Sequence, residues 1–291
     1  MAANRISVVV ISRNEGEELR RTVQNLDDTL PDSGEIVVVD DGSTDGSADR
    51  LGLRRGRVKL HRKHGLGVAR ARNFGVRHAR GDTLVFADAH IRLGQFWWRP
   101  LTEILKNPRV GGAAPAIMNM PKVERKGYGL KLTGPDLKIA WLRKHGNAPF
   151  AAPILPGCCL AMRRDVFEAS GGWDSGLLQR GGVDNEVSVR LWLFGFDLMI
   201  APEVVVRHLF RKKSPYPVGW PQYLHNHLRL AFAHLNPLRL GKVVGALSEQ
   251  EEFGEALALL LEGDIAARRR EMLARRVRSD DWYFEKFGMK W

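Results

Sequence analysis

The stretch Thr83-Leu84-Val85-Phe86-Ala87-Asp88-Ala89-His90 decides how this chain is read. Thr83 to Ala87 reads as a strand that runs directly into a carboxylate and an imidazole. Strand side chains alternate between faces, so Asp88 and His90 point the same way if the backbone stays extended. A hard oxygen beside an imidazole nitrogen suits Mn²⁺, with Mg²⁺ the alternative, and such an ion also takes diphosphate oxygens and water. The pair is therefore a candidate metal–diphosphate site at a strand end. The plain alternative is an ordinary turn with a surface histidine.

Working outward, the same rhythm repeats. Ile6 to Ile11 is a short run rich in β-branched residues, as expected of a buried parallel strand, and it ends in Ser12-Arg13-Asn14-Glu15. A helical pattern follows, with Leu19, Val23 and Leu26 on one face, and Pro31-Asp32-Ser33-Gly34 stops it. Ile36 to Val39 is a second strand, ending in the polar loop Asp40-Asp41-Gly42-Ser43-Thr44-Asp45-Gly46. That loop can face a ribose or base, or it can cap a following helix from Thr44 or Ser47. Val58 to His61 is a third strand and Val68 to Arg80 a helix leading into the stretch above. Alternating strands and helices predict right-handed βαβ units and an α/β fold with a parallel sheet covered on both faces. Ligands bind such sheets beyond the carboxyl ends of the strands, which is where all three polar clusters fall.

The remainder is less regular. Residues 111 to 156 scatter Gly and Pro among Lys and Arg, and read as an acceptor-facing insertion. Short helices are expected at 165–169 and 185–194, a strand at 198–201, and largely helical structure from 223 to 278. The expected layout is a catalytic region over 1–217, comprising a nucleotide-binding half (1–110) and an acceptor and catalytic half (111–217), then a helical C-terminal extension over 218–291.

Forty-five Lys and Arg against 33 Asp and Glu leave a net charge of +12, which favours anionic partners. The excess includes runs at Arg54-Arg55, Arg211-Lys212-Lys213 and Arg268-Arg269-Arg270, without a zinc-finger or helix-turn-helix pattern, so specific nucleic-acid binding is not expected. The two cysteines are adjacent, Cys158-Cys159, which excludes a disulfide framework and fits a reducing compartment. No apolar run reaches the ~18 residues of a transmembrane segment, and the N-terminus lacks a signal-peptide layout. A cytoplasmic location is expected; a homodimer through the C-terminal helices is left open.

Taken in order, Val8 to Glu15, Val38 to Asp45 and Phe86 to His90 resemble nucleotide-sugar glycosyltransferases of the GT-A fold, and the Asp-Asp-Gly-Ser-Thr-Asp loop is similar to that of the inverting family 2. Gly65 to Arg72, Asp88-Ala89-His90, Gly181-Gly182, Glu186 to Trp192 and His208 to Tyr216 resemble the catalytic domain of polypeptide N-acetylgalactosaminyltransferases. The resemblance spans about residues 5 to 217. It implies a Rossmann-like, mostly parallel sheet flanked by helices, and a metal-dependent transferase using a UDP-sugar.

Residue by residue, the resemblance makes Asp88, His90 and His208 the metal ligands. It sets Ser12, Asn14, Glu15, Asp40, Asp41, Arg70, Asp88 and Arg211 around the nucleotide, with Arg72 or Asn73 able to do the work of Arg70. Val183-Asp184-Asn185-Glu186 resembles the Glu-Asp-x-Glu motif of family 2, which makes Asp184 the general base, although Val183 replaces the usual Glu. The retaining N-acetylgalactosaminyltransferases would instead carry Glu at 183 and Asn at 184, so inversion is expected. The competing role for Asp184 is capping the helix from Asn185. Trp173, Asp174 and Glu186 are expected near the acceptor, a peptide side chain or small molecule. Two other readings stand: a retaining peptide glycosyltransferase, and a non-catalytic module that binds nucleotide sugars or polyanions.

Overall fold

The computed structural model describes residues 5–51, 56–120 and 122–291, without the side chains of 122–125. The Arg54-Arg55 run lies outside the described residues. The N-terminal part builds β1 (Ile6–Ser12), α1 (Glu17–Thr29), β2 (Glu35–Asp41), β3 (Val58–Lys63), α2 (Gly67–His78) and β4 (Thr83–Asp88). It continues through β5 (Ile91–Arg92), α3 (Trp98–Leu105), β6 (Val110–Asn119), β7 (Lys122–Gly127), β8 (Leu130–Leu132), β9 (Ile139–Trp141) and β10 (Phe150–Ala151). Then come β11 (Cys159–Arg163), α4 (Arg164–Ser170), α5 (Val183–Leu193) and β12 (Asp197–His208). Five helices close the chain: α6 (Trp220–His234), α7 (Pro237–Leu247), α8 (Phe253–Leu261), α9 (Ile265–Arg275) and α10 (Asp280–Lys286).

The main sheet runs β10-β12-β6-β11-β4-β1-β2-β3. β1 pairs in parallel with both β2 and β4, and β2 with β3. The chain thus leaves β1 in one direction for β2 and β3 and returns on its other side as β4. That reversal is a topological switch point, and it brings Ser12 and Asp88 to adjacent strand ends. β1 is buried on both faces: Val8 and Val10 pack with Leu19, Val23 and Leu26 of α1, while Val9 packs with Val76 of α2 and Phe86. Two-sided burial is why these strands carry continuous rather than alternating apolar runs.

Several expected boundaries shift. Residues 111–156 do not form a mere insertion, because their first part lies in β6, a buried strand between β12 and β11. Gly111, Gly112 and Pro115 hide it from a β-branched pattern. β12 is far longer than residues 198–201, and its register shifts between Ala201 and Val205 before it reaches His208. The Asp40–Gly46 loop enters turns at 47–50, so it caps no helix. α5 begins at Val183 with Gly182 as its N-cap, so Asp184 sits inside the first turn and is not the cap.

The C-terminal helices share a hydrophobic cluster with the sheet: Leu224, Leu228 and Tyr283 pack with Phe86, Trp173 and Trp192. Among the described residues no helix is long and apolar enough to cross a membrane.

α6 buries His225, His227 and His234, and burial drives each below its ordinary value of 6.5, as it does for His61. As pH falls below 6.5 the unfolded chain takes up these protons before the folded one, so stability present above pH 6.5 is progressively lost. His90 opposes this trend, because Glu15 and Asp88 outweigh its burial and raise it. Four groups against one set the sign: the thermal midpoint followed by circular dichroism falls between pH 7.5 and pH 5.5. An equal or higher midpoint at pH 5.5 contradicts this.

Candidate active site

Asp88 ends β4 and His90 follows two residues later; His208 ends β12. Two short pairings bring His208 to them from far along the chain. β5 pairs antiparallel with the tip of β12, His208 opposite Ile91, and the Leu209 N–H donates to the His90 carbonyl at 3.1 Å. The His90 and His208 rings meet edge to face with centroids 4.7 Å apart. His208 Nε2 lies 3.2 Å from Asp88 Oδ2 and His90 Nε2 lies 4.0 Å from it. One ligand atom from each of the three falls within 4.8 Å of the others.

The surroundings prepare the ligands. Glu15 Oε2 holds His90 Nδ1 at 3.0 Å, which leaves Nε2 of that ring for an ion. A carboxylate behind a ligating imidazole is the usual outer partner of a metal-bound histidine. Burial pushes the Asp88 carboxyl up, but the His208 hydrogen bond and the charges of His90, His208 and Arg72 outweigh it and hold Asp88 well below the ordinary range. One carboxylate and two imidazoles thus fit a divalent ion such as Mn²⁺.

Arg72 joins this group to the candidate base. α2 turns it inward: at 3.6 residues per turn, Arg70 and Arg72 lie on nearly opposite sides of the helix. Arg72 is buried; Arg70 is exposed and donates to the Ser175 carbonyl at 2.7 Å. Arg72 donates to Asp184 Oδ1 at 3.0 Å and to the Gly157 carbonyl at 2.8 Å, and its Nη2 lies 3.7 Å from Asp88 Oδ1. Its guanidinium stacks over Trp173, 4.3 Å from the ring centroid. A Cβ at Gly157 would collide with the Asp184 carboxylate, so glycine there lets Asp184 keep its place. The Asp184 side chain itself is 35% exposed.

Asp88, His90, His208, Arg72 and Asp184 line one cavity of about 780 Å³, which also takes in Ser12, Glu15, Asp41 and the segment from Leu209 to Tyr216. That segment closes over the site by three contacts. Arg211 pairs with Glu15 at 2.7 Å, Tyr216 lies under Arg13 at 5.1 Å, and Arg180 donates to Ser214 at 3.3 Å. Arg13, Arg180 and Tyr216 are not among the expected site residues, although Arg13 lies in the strand-end cluster Ser12 to Glu15, Arg180 adjoins Gly181-Gly182 and Tyr216 ends the stretch from His208.

Other expected residues stand elsewhere. Asn14 and Asp40 do not line the cavity; Asn14 accepts from the Thr44 N–H at 2.7 Å, and buried Asp40 accepts from Ser43. Asp41 reaches the cavity, but its two oxygens accept the N–H groups of Leu66 and Gly67 at 2.7 and 2.8 Å. Arg70 gives way to Arg72. The acceptor assignments need correction. Trp173 is 1% exposed and packs on Phe86 as well as Arg72. Asp174 is buried and accepts twice from Arg229 at 2.8 Å. Glu186 is fully buried, with Arg190 at 2.8 Å and His234 at 3.0 Å; burial raises its carboxyl, but Arg190 and His234 prevail and lower it. All three hold the fold together, because side chains with no access to the cavity cannot meet a substrate in it.

Residues 7–171 match the family model described as Glycosyl transferase family 2. Among curated proteins, polypeptide N-acetylgalactosaminyltransferase 11 of Xenopus tropicalis is 36% identical over 250 residues, covering 77% of this chain and 42% of that protein. Polypeptide N-acetylgalactosaminyltransferase 15 of Homo sapiens is 31% identical over 248 residues, covering 77% and 39%. The chain therefore spans well under half the length of these relatives. Among solved structures, GalNAc-T7 with UDP, GalNAc and Mn²⁺ superposes with a TM-score of 0.82 at 24% identity, covering 98% of this chain and 57% of that one. The Pyrobaculum calidifontis mannosyltransferase PcManGT, in complex with GDP-Man and Mn²⁺, gives 0.56 at 20% identity, covering 93% and 72%. Both likenesses concern the fold, which is GT-A. With the family model covering more than half of its residues, this chain belongs to glycosyl transferase family 2.

Proposed function

We propose that the protein transfers a sugar from a UDP-sugar to an acceptor nucleophile with inversion, using Asp184 as general base. One observation carries the reading: Arg72 touches both Asp184 and the Asp88 of a metal-ligand triad, so a base and a diphosphate site share one cavity. The matched structures that contain UDP or GDP-Man together with Mn²⁺ support the choice of donor and ion. An ion held by Asp88, His90 and His208 would act as a Lewis acid toward the leaving diphosphate.

The chain's own residues account for the rest. Arg211, Lys212 and Lys213 line the cavity and offer positive charge to the diphosphate, the more strongly as the segment closes. Asp184 accepts the proton of the acceptor nucleophile while that atom bonds to the anomeric carbon. The bond from that carbon to the diphosphate oxygen breaks, and its electron pair leaves with the nucleotide. Arg72 fixes Asp184 by one oxygen, so the proton goes to the other. The acceptor is a peptide side chain or a small molecule, and the names of the relatives favour a peptide. Those names also favour a second reading, retaining transfer of N-acetylgalactosamine.

Asp184→Asn is expected to lower UDP-sugar turnover by about 10²- to 10⁴-fold, the range of general-base catalysis, with UDP affinity in Mn²⁺ unchanged. Turnover near wild type removes Asp184 from this role. His208→Ala is expected to weaken Mn²⁺ binding by more than about tenfold, since outer-sphere losses alone cost 10- to 100-fold. Calorimetric titration of the protein with Mn²⁺ measures this, and equal affinities mean His208 is not a ligand. Product NMR on an α-configured donor is expected to show a β-linkage; an α-linkage selects the retaining reading.

A further inference from the structure

An irregular segment, Leu177 to Gly182, enters α5, and its Gln179 to Gly182 form the cavity wall leading to Asp184. Its backbone has little reason to hold one shape. Gln179 has φ 41°, Gly181 95° and Gly182 66°, all in the left-handed region. Its form comes from outside, and largely from one side chain of α6.

Asn226 is fully buried. Its Oδ1 accepts the Leu178 N–H at 2.8 Å. Its Nδ2 donates to the carbonyls of Leu178 at 2.7 Å, Gly181 at 2.9 Å and Arg180 at 3.4 Å. His225 Nδ1 lies 3.0 Å from the same Oδ1. From the opposite side, the Val68 N–H at the start of α2 donates to the Gln179 carbonyl at 2.7 Å. Gly67 allows that approach, since a Cβ there would come within 2.9 Å of the Gln179 backbone. An amide buried this deeply is costly unless its hydrogen bonds are met, and an apolar residue would serve if α6 only had to pack. The donors and acceptor of Asn226 are spent on the loop before the base.

We propose that Asn226 is a positioning residue for the transferase: it clamps Leu178 to Gly182 and so sets where Asp184 stands relative to Arg72 and Asp88. This rests on the function proposed above. The hydrogen bonds of Asn226 go to the loop and to His225 and none to Asp88, His90 or His208, so its loss is expected to spare nucleotide binding and to slow turnover. Displacement of a reacting group by ~1 Å costs up to about 100-fold in rate.

The test uses the full chain with Asn226→Asp, which sets an oxygen against three carbonyls, and Asn226→Ser, a smaller uncharged variant. Three readings are taken: UDP-sugar turnover, UDP affinity in Mn²⁺ by calorimetry, and hydrogen exchange followed by mass spectrometry. The expected result is turnover lowered by about 10- to 100-fold, UDP affinity unchanged, and faster exchange confined to peptides covering 177–186. Wild-type turnover in either folded variant overturns the proposal. So do a fall in UDP affinity in step with turnover, faster exchange throughout α5, α6 and the sheet, or failure of both variants to fold. A wild-type chain that binds UDP yet releases none from any UDP-sugar overturns the transferase reading itself, an outcome distinct from active variants.

Discussion

The site depends on a buried cation held between two carboxylates. Arg72 has 3% side-chain exposure, and its guanidinium meets Asp184 on one nitrogen and Asp88 and the Gly157 carbonyl on the other. Burying such a charge is unfavourable unless its partners lie in good geometry. The partners come from three separate parts of the chain: the end of β4, the turn before β11, and the first turn of α5. Pairing the two terminal nitrogens of one guanidinium therefore fixes the Asp88 end of the cavity against its Asp184 end. The Trp173 face beneath it shields the guanidinium from water and strengthens both ion pairs.

The sheet order explains why so distant residues meet. At the switch point beside β1, the strand ends open into a crevice, and parallel pairing aligns Ile11 with Asp88. The far wall needs a different device. β12 runs parallel to β6, and beyond the register shift after Ala201 its tip stays paired with β6 on one side while Arg207 and His208 pair with β5 on the other. That antiparallel bridge seats His208 against Asp88. His208 is thus placed by a long strand and a two-residue partner, while Asp88 and His90 sit together at the end of one strand, β4.

That difference marks how much was legible in the sequence. Buried parallel strands announce themselves through continuous β-branched runs, so β1, β2 and β4 and the polar groups at their ends could be read directly. β6 could not, because two glycines and a proline fill a strand whose burial comes from neighbours on both sides. The expected ligand set converges in space, yet the acceptor set does not: Trp173, Asp174 and Glu186 carry the residue types of a sugar site but are spent on Arg72, Arg229 and Arg190. Sequence cannot distinguish an acidic residue facing substrate from one paired with an arginine, when that arginine lies on a helix packed from elsewhere. The Arg70 expectation failed for a simpler reason. Two candidates two positions apart on a helix face opposite ways, and which one faces inward depends on how α2 seats against the sheet.

α5 shows how burial leaves a single acid free for chemistry. The helix is covered on nearly all sides: Val183, Val187, Leu191 and Trp192 are in the core, and buried Ser188 accepts the Leu155 N–H at 3.1 Å. Only its first turn opens on the cavity. There Val183 is buried and apolar and cannot take up a proton, and Glu186 is held by Arg190 and His234 without exposure. Asp184 is partly exposed, with one oxygen tied to Arg72. Val183 borders the cavity with an apolar, buried side chain, so of the acids on α5, Asp184 and Glu186, only Asp184 reaches the cavity.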